Sequence, residues 1–310
     1  MYAHAVTGAP VKRAILQSGS LQLSPPQGYA RGEALCAGLD ANLSKQGFRI
    51  ADAPVDVLLG AFEEAKIVSM WLQLTEDLHG WETRISHIDQ LIVGMVEYES
   101  VIWRNGIESM TAAAIIACFD SAGDSSLEFK RLYNIAADIP TACKLGALDL
   151  INDTRFALPV TNIRDTYRKA GKPIYTYVFH EVNPWQASHR AHHAVDLLML
   201  FGDLGFSHNI GAAAVRQDLR NKWLDFCNGQ PPWSIEQTYA FGPHDRCGEI
   251  AASELEGRRR CVLARCSRRW VLRSIMPSLG SWRRGGLVYS IEQCKLHVRL
   301  LVGTSSSRPL

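Results

Sequence analysis

An α/β fold with a mainly parallel sheet is what this sequence predicts, on three observations. Short apolar runs, rich in β-branched or aromatic residues, recur near residues 13–18, 90–96 and 173–179. Long stretches with apolar residues three and four apart lie between them, as helices packed on a sheet require. Ser18, Glu99 and His193 are read as standing at the ends of predicted strands, and in open α/β sheets ligands and reactive groups gather at the carboxyl ends of strands.

Arg13-Ala14-Ile15-Leu16-Gln17-Ser18-Gly19-Ser20, stopped by Gly and Ser and then by Pro25-Pro26, reads as a first core strand running into a loop. Residues 29–43 and 55–65 carry the periodicity of amphipathic surface helices, with Gly47 and Pro54 as punctuation. Gln90-Leu91-Ile92-Val93-Gly94-Met95-Val96 is a second buried strand, ending in the carboxylates of Glu97-Tyr98-Glu99. Helical patterns fill 105–150, and Pro173-Ile174-Tyr175-Thr176-Tyr177-Val178-Phe179 is the third strand. The segment from His189 to Gly202 reads as a loop turning into an apolar helix or strand closed by glycine.

With 310 residues, 47% hydrophobic and 21% charged, the composition is globular and excludes disorder and fibre. No run of 18 uninterrupted apolar residues occurs, and the first 30 residues lack the pattern of a signal peptide. A cytoplasmic protein with no membrane partner is the default expectation. The net charge of +2 conceals a split, because residues 257–310 hold eleven Arg and one Lys against the single acid Glu292, leaving 21 basic against 30 acidic groups in 1–256. A boundary at 256/257 follows. Arginines interleaved with Trp270, Trp282 and Tyr289 suit a basic arm, a terminal helix or a wrong reading frame. No nucleic-acid-binding fold surrounds them, so nucleic acid is not an expected partner, and the wrong frame explains the abrupt change best. The eight cysteines are too scattered for a disulfide framework, and Cys261 and Cys266 lack the second ligand pair that zinc would need.

A carboxylate held against one imidazole nitrogen fixes the tautomer and stabilises the imidazolium, while the other nitrogen takes a proton from a nucleophile. Glu97 and Glu99 are the candidate acids, read as sharing one side of a strand, and His192 and His193 the candidate bases. A metal reading competes, since His189 and His193, or His192 and Asp196, are spaced to share a helix face. The glutamate that follows the first histidine in zinc-protease helices is absent, and no metal is expected.

Taken in order, these segments resemble the type-B carboxylesterases of the cholinesterase-like α/β-hydrolase family over about residues 6–260. Arg13 to Ser20 resembles the strand after the family's nucleophile helix. Gly94 to Ser100 resembles its acid motif, a glycine followed five residues later by the glutamate, with Ser100 where glycine is usual. Asp153, Phe156 and Pro159 match a further signature, and His193 to Gly202 the histidine motif. Trp223, Phe226, Gly229 and Pro231 resemble the pattern that follows. The paired histidines and Phe241-Gly242-Pro243 are most similar to fungal members.

The resemblance implies Glu99 as acid and His193 as base, over Glu97 and His192, with Ser18 and Asp196 hydrogen-bonding beside them. It implies hydrolysis of small-molecule esters of low polarity, the helices between Glu99 and His193 lining the pocket, and needs no cofactor or metal. The nucleophile elbow G-x-S-x-G occurs nowhere in the chain: Leu16 and Ser20 stand where Ser18 would need glycines, and Ser305 fails likewise. In family order the elbow and the oxyanion-hole loop would precede Met1. The expectation is therefore the C-terminal portion of an α/β-hydrolase, its N-terminal strands missing, with one open sheet edge and at most weak hydrolysis. The rival is a catalytically dead binding relative or a gene relic, against which the retention of both Glu99 and His193 argues.

Overall fold

A computed structural model describes residues 11–19, 29–65, 88–120, 122–202, 205–206 and 208–258. Ser20, Pro25, Pro26 and the Arg-rich segment beyond Arg258, with its cysteines, lie outside the described residues. The chain divides into two compact units, Met1–Ala14 with Gly19–Asp89 and Ile15–Ser18 with Gln90–Leu310.

In the first unit α1 (Tyr29–Ser44) and α2 (Val55–Glu64) share a core of their own, Leu39, Leu43 and Ala61, flanked by Leu35, Phe48, Leu58 and Phe62. Gly47 ends the first helix at a φ of 79°, a left-handed conformation that costs glycine nothing. Pro54 stands at the N-cap of the second, where its missing N–H is no loss.

The second unit, which takes in β1 from Ile15 onward, is built on a five-stranded sheet in the order β1 (Arg13–Gln17), β2 (Gln90–Val96), β3 (Ile174–Phe179), β4 (Thr238–Phe241), β5 (Cys247–Ile250). β2, β3 and β4 run parallel and β5 returns antiparallel at the edge. β3 is buried at every position and β2 at every position after Gln90, which is why both read as unbroken apolar runs. β1 is the terminal strand on its side among the described residues.

Between β2 and β3 come α3 (Arg104–Glu108), α4 (Ala112–Asp120), α5 (Ser126–Leu132), α6 (Pro140–Asn152) and α7 (Leu158–Lys169). The first four gather around Ile107, Ile115, Phe119, Tyr133, Ala147 and Leu148. α6 runs into α7 through a π-helical turn, Asp153–Ala157. After β3 come α8 (Val195–Phe201) and α9 (Ile210–Cys227), and α10 (Ala252–Arg258) follows β5. α9 is capped by Asn209, whose side chain accepts the Ala212 N–H at 2.9 Å. Its buried residues Ala212, Val215, Leu219, Trp223 and Phe226 fall three and four apart and pack on Tyr175, Tyr177 and Phe241. No helix among the described residues is long and apolar enough to cross a membrane.

Candidate active site

The strand β2 stops at Val96, and the candidate acid, Glu99, lies beyond it rather than on it. Glu97 continues the ladder with an N–H bond to Phe179 O at 2.9 Å, Tyr98 makes a single parallel bridge to His192, and Glu99 begins a 3-10 turn, Glu99–Trp103. The expectation that Glu97 and Glu99 share one side of a strand is therefore corrected: a chain that leaves the pleat loses its period of two.

Glu99 is 0% exposed, and a carboxylate so placed needs donors on both oxygens. It has them. Oε1 accepts the Val96 N–H at 2.9 Å and the Ser18 hydroxyl, and Oε2 accepts Nδ1–H of His193 at 2.6 Å. Ser18 sits at a φ of 58°, its own N–H bonded to Gly94 O at 3.0 Å. Its hydroxyl is on the oxygen of Glu99 opposite the one that meets the imidazole.

His193 is placed by main chain. Tyr98 N–H donates to Ala191 O at 2.9 Å and His193 N–H to Tyr98 O at 3.2 Å, so the segments carrying Glu99 and His193 are laced together directly. The next residue, Ala194, turns left-handed at a φ of 67° and starts α8. The imidazole is 40% exposed, with the Phe156 ring 6.4 Å away. The Glu99 hydrogen bond raises the His193 pKa above its ordinary 6.5, against the opposing effect of burial, and the charges of Glu99 and Asp196 act in the same upward direction. With Nδ1 committed to Glu99, Nε2 is the nitrogen left to exchange a proton.

Asp196, 2% exposed, accepts Gln17 Nε2–H at 3.1 Å and the Tyr177 hydroxyl at 3.4 Å on Oδ2, and the Leu197 N–H at 3.0 Å on Oδ1. All three donors are uncharged. Burial, reinforced by the charge of Glu99, pushes its carboxyl up to about 6.

The two competing residues have other partners. Glu97 pairs with Arg190, whose guanidinium lies 4.8 Å over the Tyr98 ring. His192 contacts the His193 carbonyl through Nδ1 at 2.8 Å and Asn183 Nδ2 through Nε2, also at 2.8 Å. A carbonyl only accepts, so Nδ1 of His192 carries the proton and Nε2 receives the Asn183 amide. His189 ends a 3-10 turn, Ala187–His189, and α8 begins only at Val195, so the four residues of the metal reading do not lie along one helix.

Sequence reasoning did not find Asn152, which accepts the Glu99 N–H at 2.9 Å, nor the hold of Gln17 and Tyr177 on Asp196. Nothing in local sequence distinguishes such residues, since their partners lie 19, 53 and 179 positions away. Ser100, next to the acid, is fully buried with its hydroxyl unpaired among the described residues. Ser100→Ala is expected to raise the unfolding free energy by about 1 kcal/mol in denaturant titrations; a fall in stability would mean that the hydroxyl has a buried water to hold.

No family model matches this chain, and no curated protein matches it in sequence. Solved structures do. A PNB esterase superposes with a TM-score of 0.54 at 16% identity, covering 83% of this chain and 59% of its own. The Geobacillus stearothermophilus carboxylesterase EST55 superposes with a TM-score of 0.58 at 17% identity, covering 82% and 59%. The chain has the α/β-hydrolase fold of these carboxylesterases and spans 59% of the length of each.

Proposed function

We propose that this chain carries the acid and base of a serine-type carboxylic-ester hydrolase, Glu99 and His193. The observation that carries the proposal is the 2.6 Å contact between the buried Glu99 carboxylate and Nδ1 of His193, on a fold shared with carboxylesterases. Nε2 of His193 takes the proton of a serine hydroxyl as that oxygen attacks the ester carbonyl, then delivers it to the departing alcohol; a water is activated the same way to release the acid. Glu99 stabilises the imidazolium formed in each half. The serine belongs to a G-x-S-x-G element that the 310 residues do not contain. In motif the chain is similar to the C-terminal part of type-B members, fungal ones especially. Small esters of low polarity suit the aromatic surroundings, where Phe156 lies beside His193 and Trp103 5.9 Å beyond Phe156.

The absence of that element from the sequence favours a second reading, a binding protein or relic that keeps acid and base without chemistry. Two measurements separate them. Slow release of p-nitrophenol from p-nitrophenyl acetate should disappear in His193→Ala and fall about tenfold or more in Glu99→Gln. Because the working form of His193 is the neutral one and its pKa is raised, the rate should climb with pH on a limb displaced above 6.5. Sequencing the transcript upstream of Met1 should show an in-frame G-x-S-x-G. Hydrolysis indifferent to His193→Ala, together with no upstream nucleophile, leaves the binding reading standing.

A further inference from the structure

The 3-10 turn that opens with Glu99 has a capping problem. Tyr98 occupies its N-cap and makes no side-chain cap, yet the Glu99 N–H is buried and must find an acceptor. The acceptor is the amide oxygen of Asn152, 53 residues on and itself 7% exposed, at 2.9 Å.

Asn152 is the last residue of α6, immediately before the π-helical turn Asp153–Ala157. A π-turn holds more than four residues, so it changes which side chains face a given direction, and such turns recur at functional sites. Here the turn is anchored by Asp153, which accepts the Tyr133 hydroxyl at 3.0 Å. Four residues after Asn152, Phe156 sets its ring against the His193 imidazole at 6.4 Å. One helical element thus bears on both members of the pair, on the main chain of the acid and on the ring of the base.

We propose that Asn152 is a positioning residue for the acid: by holding the Glu99 amide it fixes the start of the 3-10 turn, so that the carboxylate folds back onto Val96 and meets His193. The inference rests on reading Glu99 and His193 as a coupled acid and base. Without the amide bond the turn is free to shift, and the carboxylate, whose Oε1 also depends on the Val96 N–H at 2.9 Å, shifts with it.

The test is NMR of the full chain with labelled histidine, following the His193 titration and the downfield Nδ1–H proton of its bond to Glu99. Asn152→Ala should lower the His193 pKa by about half a unit or more and move or broaden that proton. Asn152→Asp keeps an acceptor oxygen and should retain the proton, and its added charge moves the titration only upward, away from the alanine effect. Ile250→Ala, buried on the edge strand β5 in a core cluster with Val178, Ala240 and Leu255, should cost stability and leave the His193 titration in place. If Asn152→Ala does not fold, Asn152→Ser, too short to reach the amide, gives the same reading. Glu99→Gln separates the two levels. A titration that moves in Glu99→Gln but not in Asn152→Ala overturns the positioning role alone, whereas one that moves in neither overturns the pair and this proposal with it.

Discussion

Gly94→Ala should cost about 3 kcal/mol of stability and pull the acid away from the base. A Cβ at residue 94 would stand 2.2 Å from Cδ1 of Tyr177 and 2.4 Å from its carbonyl oxygen, the second of which is main chain in the neighbouring strand. Gly94 faces Tyr177 in the parallel register of β2 and β3. Tyr177 cannot move aside cheaply: its hydroxyl reaches Asp196, and its ring meets Trp223 edge-on at 5.2 Å. The carbonyl of Gly94 receives the Ser18 N–H and Ser18 bonds Glu99, while Val96 of the same strand donates its own N–H to Glu99, so a displaced strand disturbs the carboxylate through two routes. Guanidinium unfolding of the variant should show a lower midpoint, and His193 a pKa closer to 6.5. Unchanged stability would mean that β2 and β3 are further apart at this point.

Asp196→Asn should stabilise the protein near neutral pH, by up to about 3 kcal/mol. The Asp196 carboxyl rises from 3.8 to about 6 in the fold, about two units, each worth about 1.4 kcal/mol. Between these values the folded state keeps a proton that the unfolded chain releases, so stability falls as pH rises through that window. His193 acts in the same direction at higher pH: its raised pKa favours the folded state below 6.5, and that contribution is lost as pH passes the raised value. Wild-type melting temperature should thus be higher near pH 5 than near pH 8. The advantage of Asp196→Asn should vanish near pH 4 and be full by pH 7, and a difference flat across that range would remove the buried charge as its cause. The gain carries a functional cost, because the Asp196 charge helps raise the His193 pKa and the variant should lower it.

The sequence made the centre of the sheet legible and its far side obscure. β2 and β3 are long and buried on both faces, so their apolar runs announce themselves. β4 and β5 have four residues each, and Tyr239 and Phe241 in a four-residue strand cannot be told from aromatic residues in a loop. α9 is capped and amphipathic, and its Trp223 and Phe226, which resemble family motif positions in the sequence, are also two residues of one buried helix face. The apolar run that closes the segment from His189 to Gly202 suits a helix or a strand equally by pattern, and the structure makes it α8, beginning after the left-handed Ala194. In the candidate site, Glu99 and His193 are singled out by the resemblance to the family's acid and histidine motifs, whereas the partners that occupy Glu97 and His192 come from Arg190 and Asn183, loop positions that no local pattern marks.

The burial of β2 and β3 also bears on how the chain avoids aggregation while it folds. Acid and base lie 94 residues apart in sequence, and pairing the strands behind them has to await the helices between, so both apolar segments stay unpaired for longer than a hairpin would. Windows of this kind resist self-association when charges flank them. β2 is bracketed by Asp89 on one side and by Glu97 and Glu99 on the other, and β3 by Lys172 and Glu181. In the nascent chain, before the His193 imidazole is within reach, the carboxylate of Glu99 is therefore placed to act as a gatekeeper, an office separate from the one proposed for it in the folded site.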